Sequence, residues 1–467
     1  MSQRVLTFIR TIIVARFLAP QDFGLMGIAL LTLQTLEIFS QTGFQAALVQ
    51  KKEQVEKYLN TAWTFLALRG VGLLLLTLIV APYIADFFKS PAAVVLIQCI
   101  GVSFFFQGIT NIGVIFFQKD LDFKRRFLWE FAGFLVECVV SVVLVIMLKN
   151  VWSLVIGKIA GDAAKCIASY LFSAYRPAWD FNREHRRELH RFGRWVFGVN
   201  VLVFLTTEGD SVIIGKLFGN TALGFYRMAG RLSYMPTTEI AGVVSQITFP
   251  AYARIQDDPA KLKAAFLKTL LATCAVSVLF SGLLFGLAGE FTRLFLGEQW
   301  LPIVPVVKIL IVAGFIRSIQ AIVGPLFQAI GRPKIDTWCQ FVRFLSLALL
   351  LFPLGSRLNI PGIALAVLCS TAAAVVVSGY YLHKLFGITA RDIAAVTWIA
   401  VAAGASMLSA IVFGKDFLSL SAHRGINFLM SAAAGILIYA GVFFLLERCC
   451  SKVRIRELLR YGRFEYT

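Results

Sequence analysis

Long apolar stretches broken by short polar ones run the length of this chain. About fourteen can be set out, at 3–18, 23–49, 59–83, 93–118, 127–148, 152–175, 195–217, 222–250, 264–295, 301–330, 335–355, 361–382, 392–413 and 425–447. Each reaches or approaches the ~20 residues with which a helix crosses a ~30 Å hydrocarbon core. In lipid every backbone polar group needs an internal partner, which leaves only helices or closed barrels. These runs are continuous, whereas a barrel strand alternates apolar and polar positions, so a barrel is excluded. The pattern predicts an all-α polytopic membrane protein of about 14 transmembrane helices. Composition agrees: the chain is 58% hydrophobic and 15% charged, with a mean hydropathy of +0.77, more apolar surface than a soluble fold conceals. The first span is short and begins almost at Met1. No cationic stretch, apolar core and small-residue cleavage site stand there, so no signal peptide is expected.

The polar breaks themselves recur. The segment from Arg10 to Gly24 aligns without gaps on Asp210 to Gly224: an apolar stretch, a basic residue (Arg16, Lys216), a tight turn and a glycine opening the next stretch. Ser40-Gln-x-x-Phe44-x-Ala46 returns as Ser245-Gln-x-x-Phe249-x-Ala251, and Phe117-Gln118 as Phe327-Gln328. The echo predicts two pseudo-symmetric six-helix lobes, residues 1–175 and 195–386. An Arg-rich cytoplasmic linker (176–194) joins them, two extra spans follow (387–447), and a basic cytoplasmic tail closes the chain (448–467). Repeated halves in a membrane protein point to a transporter whose site lies where the halves meet. Pro302, Pro305 and Pro325 in the tenth span are candidate kinks.

A net charge of +19 raises the question of nucleic acid, and its distribution answers no. With the N-terminus inside, the cytoplasmic loops and tail hold 27 Lys and Arg residues against 5 outside. That asymmetry orients the chain with both termini in the cytoplasm and gives anionic lipid headgroups a basic surface. The cysteines lie within or at the ends of spans and form neither a disulfide framework nor a zinc site. Gly209-x5-Gly215-Lys216-Leu217 lacks the spacing and the Ser/Thr of a phosphate-binding loop, so no ATP is expected as a direct energy source. The histidines sit in loops or at span ends, so coupling to Na+ or H+, if used, falls to carboxylates such as Glu37, Asp210 and Glu239.

Charged residues inside spans cost at least ~2.5–3.5 kcal/mol each and call for a partner or a watery cavity. Lys158, Asp162 and Lys165 share one helical face and are expected to neutralise one another. Arg16, Lys216 and Arg69 have an interface-snorkelling alternative. Arg10 and Asp210 occupy matching places in the two halves and are expected to gate a central cavity. Arg4, Arg10, Arg69, Arg227, Arg231 and Arg317 outnumber the acids without an evident partner, with Arg343 beside them. An arginine-rich cavity suits an anionic, phosphorylated headgroup, because guanidinium pairs with phosphate through parallel hydrogen bonds.

Two stretches now carry a resemblance. Ala15-Arg-Phe-Leu-Ala-Pro20-Gln-Asp-Phe-Gly24-Leu-Met-Gly27, and Asp210-x3-Ile214-Gly-Lys-x2-Gly219-x4-Gly224-Phe-Tyr226-x2-Ala229-x-Arg231-Leu-x3-Pro236, resemble the polysaccharide-transporter branch of the multidrug/oligosaccharidyl-lipid/polysaccharide exporter superfamily, the Wzx-type flippases. Gln328-Ala-Ile-Gly331-Arg-Pro-Lys334 is a further family-like turn. The arginine spacing of Arg4, Arg10 and Arg16 is similar to that of the sibling lipid II flippases, which implies a cavity role for Arg4 and Arg10. The front of that helix is absent here, and a six-residue step turns ~240°, so the three do not share one face. The resemblance implies two six-helix lobes that rock between inward-open and outward-open states. It implies an undecaprenyl-pyrophosphate-linked oligosaccharide as substrate, for O-antigen, capsule or exopolysaccharide, with a polysaccharide polymerase or assembly proteins as partners.

Three alternatives stay open. A cation-coupled drug exporter shares the fold, and the surplus arginine argues against it. A membrane glycosyltransferase or polymerase ordinarily carries a long outer loop with catalytic groups; the longest here, 414–424, has one acid, Asp416. A noncatalytic assembly scaffold would use the basic linker and tail.

Overall fold

The computed structural model describes residues 2–41, 44, 48, 55–120, 122–418 and 424–450; side chains at 2, 4, 183–203, 206, 235–243, 245–247, 415–418 and 449–450 are outside the description. The side chains of Arg4 and Glu239, and the tail beyond residue 450, therefore lie outside the described residues. The described chain is helical throughout, with no strand among the described residues. Among the described residues, eight helices are long and apolar enough to cross a membrane, or nine if the bent pair Ala93–Ile109 and Ile112–Lys119 is one span. The all-α polytopic membrane architecture expected from the hydropathy pattern is the one found. The chain forms two compact units, Met1–Arg227 and Met228–Thr467.

In the first unit, α1 (Ser2–Phe17) buries Val14, and Leu18 just beyond it, against Val145. α2 (Pro20–Phe39) starts with proline in its first turn, where a missing N–H costs nothing, and the Asp22 carboxylate accepts the Ala19 N–H at 3.2 Å. α3 (Glu56–Phe87) packs on α4 (Ala93–Ile100) and α5 (Val102–Ile109). After α5 the chain bends by 70° into a short 3-10 turn and α6 (Ile115–Lys119). The bend exposes backbone groups that lipid cannot satisfy. Fully buried Asn111 braces the bend: its side chain accepts the Gly113 N–H at 2.8 Å and donates to the Tyr175 carbonyl at 2.7 Å.

α7 (Phe123–Leu148) and α8 (Trp152–Phe172) form the most extensive helix pair of this unit. Hydrophobicity does not drive helices together in lipid, so close packing through small residues takes its place. Gly133, Glu137 and Ser141 on α7 face Lys165, Gly161 and Gly157 on α8, pair by pair and in that order. A Cβ at Gly161 would stand 2.6 Å from the Glu137 Cβ, and one at Gly133 2.7 Å from the Lys165 Cβ.

α8 is followed by an extended strap, 173–182, which lies on the start of α3. Asp180 accepts from the Thr61 hydroxyl, and its own N–H donates to Thr64 Oγ1 at 2.9 Å. The Tyr175 hydroxyl donates to Asn60, and Trp179 packs edge-on against Trp63 with ring centroids 5.0 Å apart. Burial, and then the nearby Asp180 carboxylate, push the Tyr175 phenol up to about 12.

α9 (Arg183–Arg254) comprises two helices that meet at a kink within 72 residues, too long for a single crossing of a ~30 Å core. Its backbone breaks at Gly219 (φ 82°), a conformation that glycine adopts at no steric cost. Its portion up to Arg227 belongs to the first unit and the rest to the second.

In the second unit, α10 (Pro259–Gly286) starts at Asp258, whose carboxylate caps the N–H groups of Ala260 and Lys261 at 3.1 and 3.0 Å. These bonds hold that carboxyl below its usual range. After the short α11 (Ala288–Phe291) comes α12 (Val304–Ala329), which packs on α10 and on α13 (Pro333–Phe386). Pro302 falls in the 3-10 turn before α12 and Pro305 in its first turn, where proline starts a helix; Pro325 alone of the three is inside α12. α13 breaks at Asn359 (φ 56°). Phe266, Leu270, Cys274, Ile322, Leu326 and Phe327 form the core of this unit. α14 (Ala390–Leu418) and α15 (Arg424–Cys450) pair with each other and pack on α10.

Candidate functional site

Helix packing in the first unit brings together charges far apart in sequence. α1 lies on α7, and Arg10 Nη1 donates to Glu137 Oε1 at 2.5 Å. The two side chains keep 14% and 24% of their surface, so the pair is neither sealed nor bathed. Glu137 is near the middle of the 26 residues of α7, a helix long and apolar enough to cross a membrane. A lone guanidinium there costs at least ~2.5–3.5 kcal/mol, and the carboxylate offsets it. The Cys138 thiol lies against the same guanidinium.

On α8, Lys158 Nζ pairs with Asp162 Oδ1 at 2.6 Å, one turn on, and Gln107 of α5 donates to the other Asp162 oxygen at 3.4 Å. Lys165 does not join them. Its ammonium sits 4.5 Å from the centre of the Trp129 ring, and the Trp129 indole donates to the Lys165 carbonyl at 3.0 Å. The expected trio is thus a salt-bridged pair plus a cation–π contact.

Arg69 on α3 reaches the end of α2. Its Nε and Nη2 donate to Ser40 Oγ at 3.1 and 2.9 Å, and Nη2 to the Glu37 carbonyl at 2.9 Å. A helix C-terminus leaves carbonyls unpaired and carries partial negative charge, so Arg69 here caps α2. The Glu37 carboxylate adds Coulomb attraction. Lys216 stands 4.2 Å from the centre of the Phe87 ring.

On α9, Arg227 lies 3.7 Å from Glu208 and donates to the Gly27 carbonyl of α2 at 3.2 Å. Asp210 accepts from the Tyr226 hydroxyl at 2.5 Å and from the Ser211 N–H at 2.6 Å. Two carboxylates, a guanidinium and a phenol therefore gather on α9 beside α2. In the second unit, Arg317 stacks over Tyr234 at 4.8 Å and Arg231 is exposed on α9. Arg343 reaches Gln340 at 3.4 Å.

The sequence named Arg10, Arg69, Arg227, Asp210 and Glu37 as separate charges; the fold supplies their partners. Glu137, Glu208 and Tyr226 were absent from the expected set as partners. Nothing in spacing joins Arg10 to a carboxylate 127 residues away. The Tyr226–Asp210 bond spans 16 residues around the break at Gly219, which only the backbone reveals. A cavity of about 440 Å³ elsewhere in the first unit, lined by Glu56, Asp120, Asp122, Arg125 and Tyr175 among others, includes none of the candidate residues.

What these residues offer chemically is guanidinium and ammonium groups paired with carboxylates on the helices of the first unit. The chain is 24% identical over 336 residues to the lipopolysaccharide biosynthesis protein WzxC of Escherichia coli K12, covering 71% of this chain and 68% of that one. It is 24% identical over 342 residues to the succinoglycan biosynthesis transport protein ExoT of Rhizobium meliloti, covering 72% and 68%. Its fold matches the solved structure of the lipid II flippase MurJ in an inward closed conformation, with a TM-score of 0.79 over 96% of this chain and 97% of that one at 16% identity. The polysaccharide biosynthesis protein family matches residues 13–305, more than half of the chain, and the chain belongs to that family.

Proposed function

We propose that this multi-pass membrane protein is a transporter, not a catalyst: a flippase that moves an undecaprenyl-pyrophosphate-linked oligosaccharide across the bacterial inner membrane for O-antigen, capsule or exopolysaccharide assembly. The observation that carries the reading is Arg10, a guanidinium held by one carboxylate near the middle of a membrane-length helix, within a family of polysaccharide biosynthesis proteins. Arginine binds diphosphate through paired charge-assisted hydrogen bonds, and the headgroup is the part of a lipid-linked sugar that lipid rejects. The polyprenyl tail stays in the bilayer while the headgroup crosses. Both termini face the cytoplasm, as the distribution of Lys and Arg indicates. The two repeated halves move in alternating access, and Na+ or H+ carried by Glu37, Asp210 or Glu239 supplies the coupling, with no ATP. The polysaccharide polymerase takes the sugar on the outer face, and anionic membrane lipids lie against the basic inner surface.

The test is the lipid-linked glycan pool of a deletion strain, with its leaflet determined. Complete units accumulating on their carrier and facing the cytoplasm are expected. Incomplete units, or complete units already facing outward, would overturn the proposal in favour of a sugar-adding or polymerising enzyme. An unchanged pool with raised drug sensitivity would point to a drug exporter on this fold.

A further inference from the structure

We infer that Glu137 is the resident counter-ion of Arg10, and that the substrate's diphosphate displaces it, carboxylate and diphosphate taking turns on one guanidinium. This rests on the flippase reading above and adds to it a residue that regulates entry to the site.

The bond itself is the first argument. A guanidinium presents five N–H donors in a fixed fork, and an arginine–carboxylate pair is frequently bidentate. Here one nitrogen, Nη1, meets one oxygen, Oε1, at 2.5 Å. A single strong contact neutralises the charge while leaving most of the fork unused by the carboxylate. The side chains keep 14% and 24% of their surface, so the pair is not sealed off.

Two other arginines of the first unit bind main-chain groups: Arg69 donates to the Glu37 carbonyl, and Arg227 to the Gly27 carbonyl with the Glu208 carboxylate 3.7 Å away. A main-chain carbonyl in a helix cannot swing aside for a ligand. The Arg10 bond goes to a side-chain carboxylate, which can.

Glu137 is also built to swing at its tip only. Its Cβ is pressed against α8 at Gly161, where an added Cβ would come within 2.6 Å. The base of the side chain is fixed, and the carboxylate turns about its outer bonds without disturbing α7. An arginine against the middle of such a helix needs an anion in every state of the cycle. Exchange between Glu137 and diphosphate meets that need with substrate present or absent.

The experiment uses the full-length protein in detergent, with undecaprenyl pyrophosphate as probe and undecaprenol as the diphosphate-free control. Thermal unfolding of each variant is recorded alongside. Glu137→Gln removes the competing charge with little change of shape and is expected to bind the probe about tenfold tighter, the equivalent of ~1.4 kcal/mol. Arg10→Gln is expected to lose tenfold or more. A Glu137→Gln protein that binds as wild type does, or more weakly, overturns the exchange and leaves a structural ion pair. Glu137→Asp draws the carboxylate back from Arg10 while keeping its charge and is expected to bind more tightly than wild type; should the Gln variant not fold, this variant decides on the same criterion. If the wild type binds undecaprenol as tightly as the diphosphate probe, the flippase reading fails. If it discriminates and neither variant gains, the exchange alone fails.

Discussion

Gly24 and Gly224, which occupy the same place in the two halves of the sequence repeat, meet at one helix crossing. A Cβ on Gly24 would overlap the Asn220 carbonyl, and a Cβ on Gly224 would overlap the Pro20 carbonyl. Pro20 and Asn220 are repeat-mates too. Just beyond these segments, Arg227 donates to the Gly27 carbonyl at 3.2 Å. A surface that meets its own counterpart is self-complementary in the way two-fold interfaces are. The repeat is thus a physical contact within the first unit as well as a pattern in the sequence.

This crossing leaves no room for a side chain at either glycine. Gly24→Val or Gly224→Val forces backbone apart and is expected to destabilise the protein by about 1–3 kcal/mol, with loss of glycan export in a complementation assay. Gly72→Val is the control, because nothing lies within 4 Å of a Cβ there. Equal thermal unfolding of the Gly24 and Gly72 variants in detergent would refute the crossing.

The α7–α8 pair makes a second steric prediction. Gly161→Leu drives a side chain into Glu137 and is expected to cost ~1–3 kcal/mol and to separate Glu137 from Arg10. Gly161→Ala, a smaller intrusion, should cost less. Expression and thermal unfolding of the two variants read the order directly, and a Leu variant as stable as the Ala variant is the adverse result.

Hydropathy made the all-α membrane fold legible, because ~20-residue apolar runs have few other uses. The charges were legible as residues and not as partners. Arg69 illustrates the gap: a lone arginine in an apolar span looks like a ligand group, yet its three hydrogen bonds run to Ser40 and the Glu37 carbonyl at the end of α2. A helix end 29 residues away is invisible to spacing. Lys165 shows the same thing, since its i−3 neighbour Asp162 is taken by Lys158 and its own charge rests on Trp129 of another helix. The Gly24–Gly224 meeting was not legible either, because an echo in sequence says which segments match and not which ones touch.

Arg69 as a cap yields its own prediction. Arg69→Lys keeps the charge but loses the fork that spans Ser40 and Glu37, and Arg69→Gln loses the charge as well. Stability is expected to fall by ~1 kcal/mol for Lys and by more for Gln. Thermal unfolding checks the order; unchanged stability in both variants with transport abolished would instead assign Arg69 to the substrate.

The strap 173–182 carries a pH signature. An acid whose pKa rises on folding keeps its proton longer in the folded state, so the unfolded chain binds fewer protons above pH ~10 and stability declines from there upward. With the Tyr175 phenol at about 12, that decline runs between the two values. Tyr175→Phe is expected to remove one late-titrating phenol from the absorbance titration and to weaken the strap by the loss of its Asn60 bond. A titration curve identical to wild type would mean that Tyr175 is not held as described.

Asp210 decides whether the second half of the repeat contributes coupling or only structure. Its carboxylate accepts from Tyr226 and from the Ser211 N–H. Asp210→Asn preserves an acceptor for the Tyr226 hydroxyl and removes the charge, so thermal stability is expected to change by less than ~1 kcal/mol. Tyr226→Phe does the reverse, leaving the charge and deleting its donor. If Asp210 carries the coupling ion, the Asn variant loses the dependence of transport on a Na+ or H+ gradient while the Phe variant keeps it. If Asp210 is structural, the gradient dependence of transport is untouched in both variants. Gradient-driven uptake into inverted vesicles, measured with each ion in turn, separates the two. Intact transport in both Arg10→Gln and Asp210→Asn would end the idea that this matched pair takes part in transport at all.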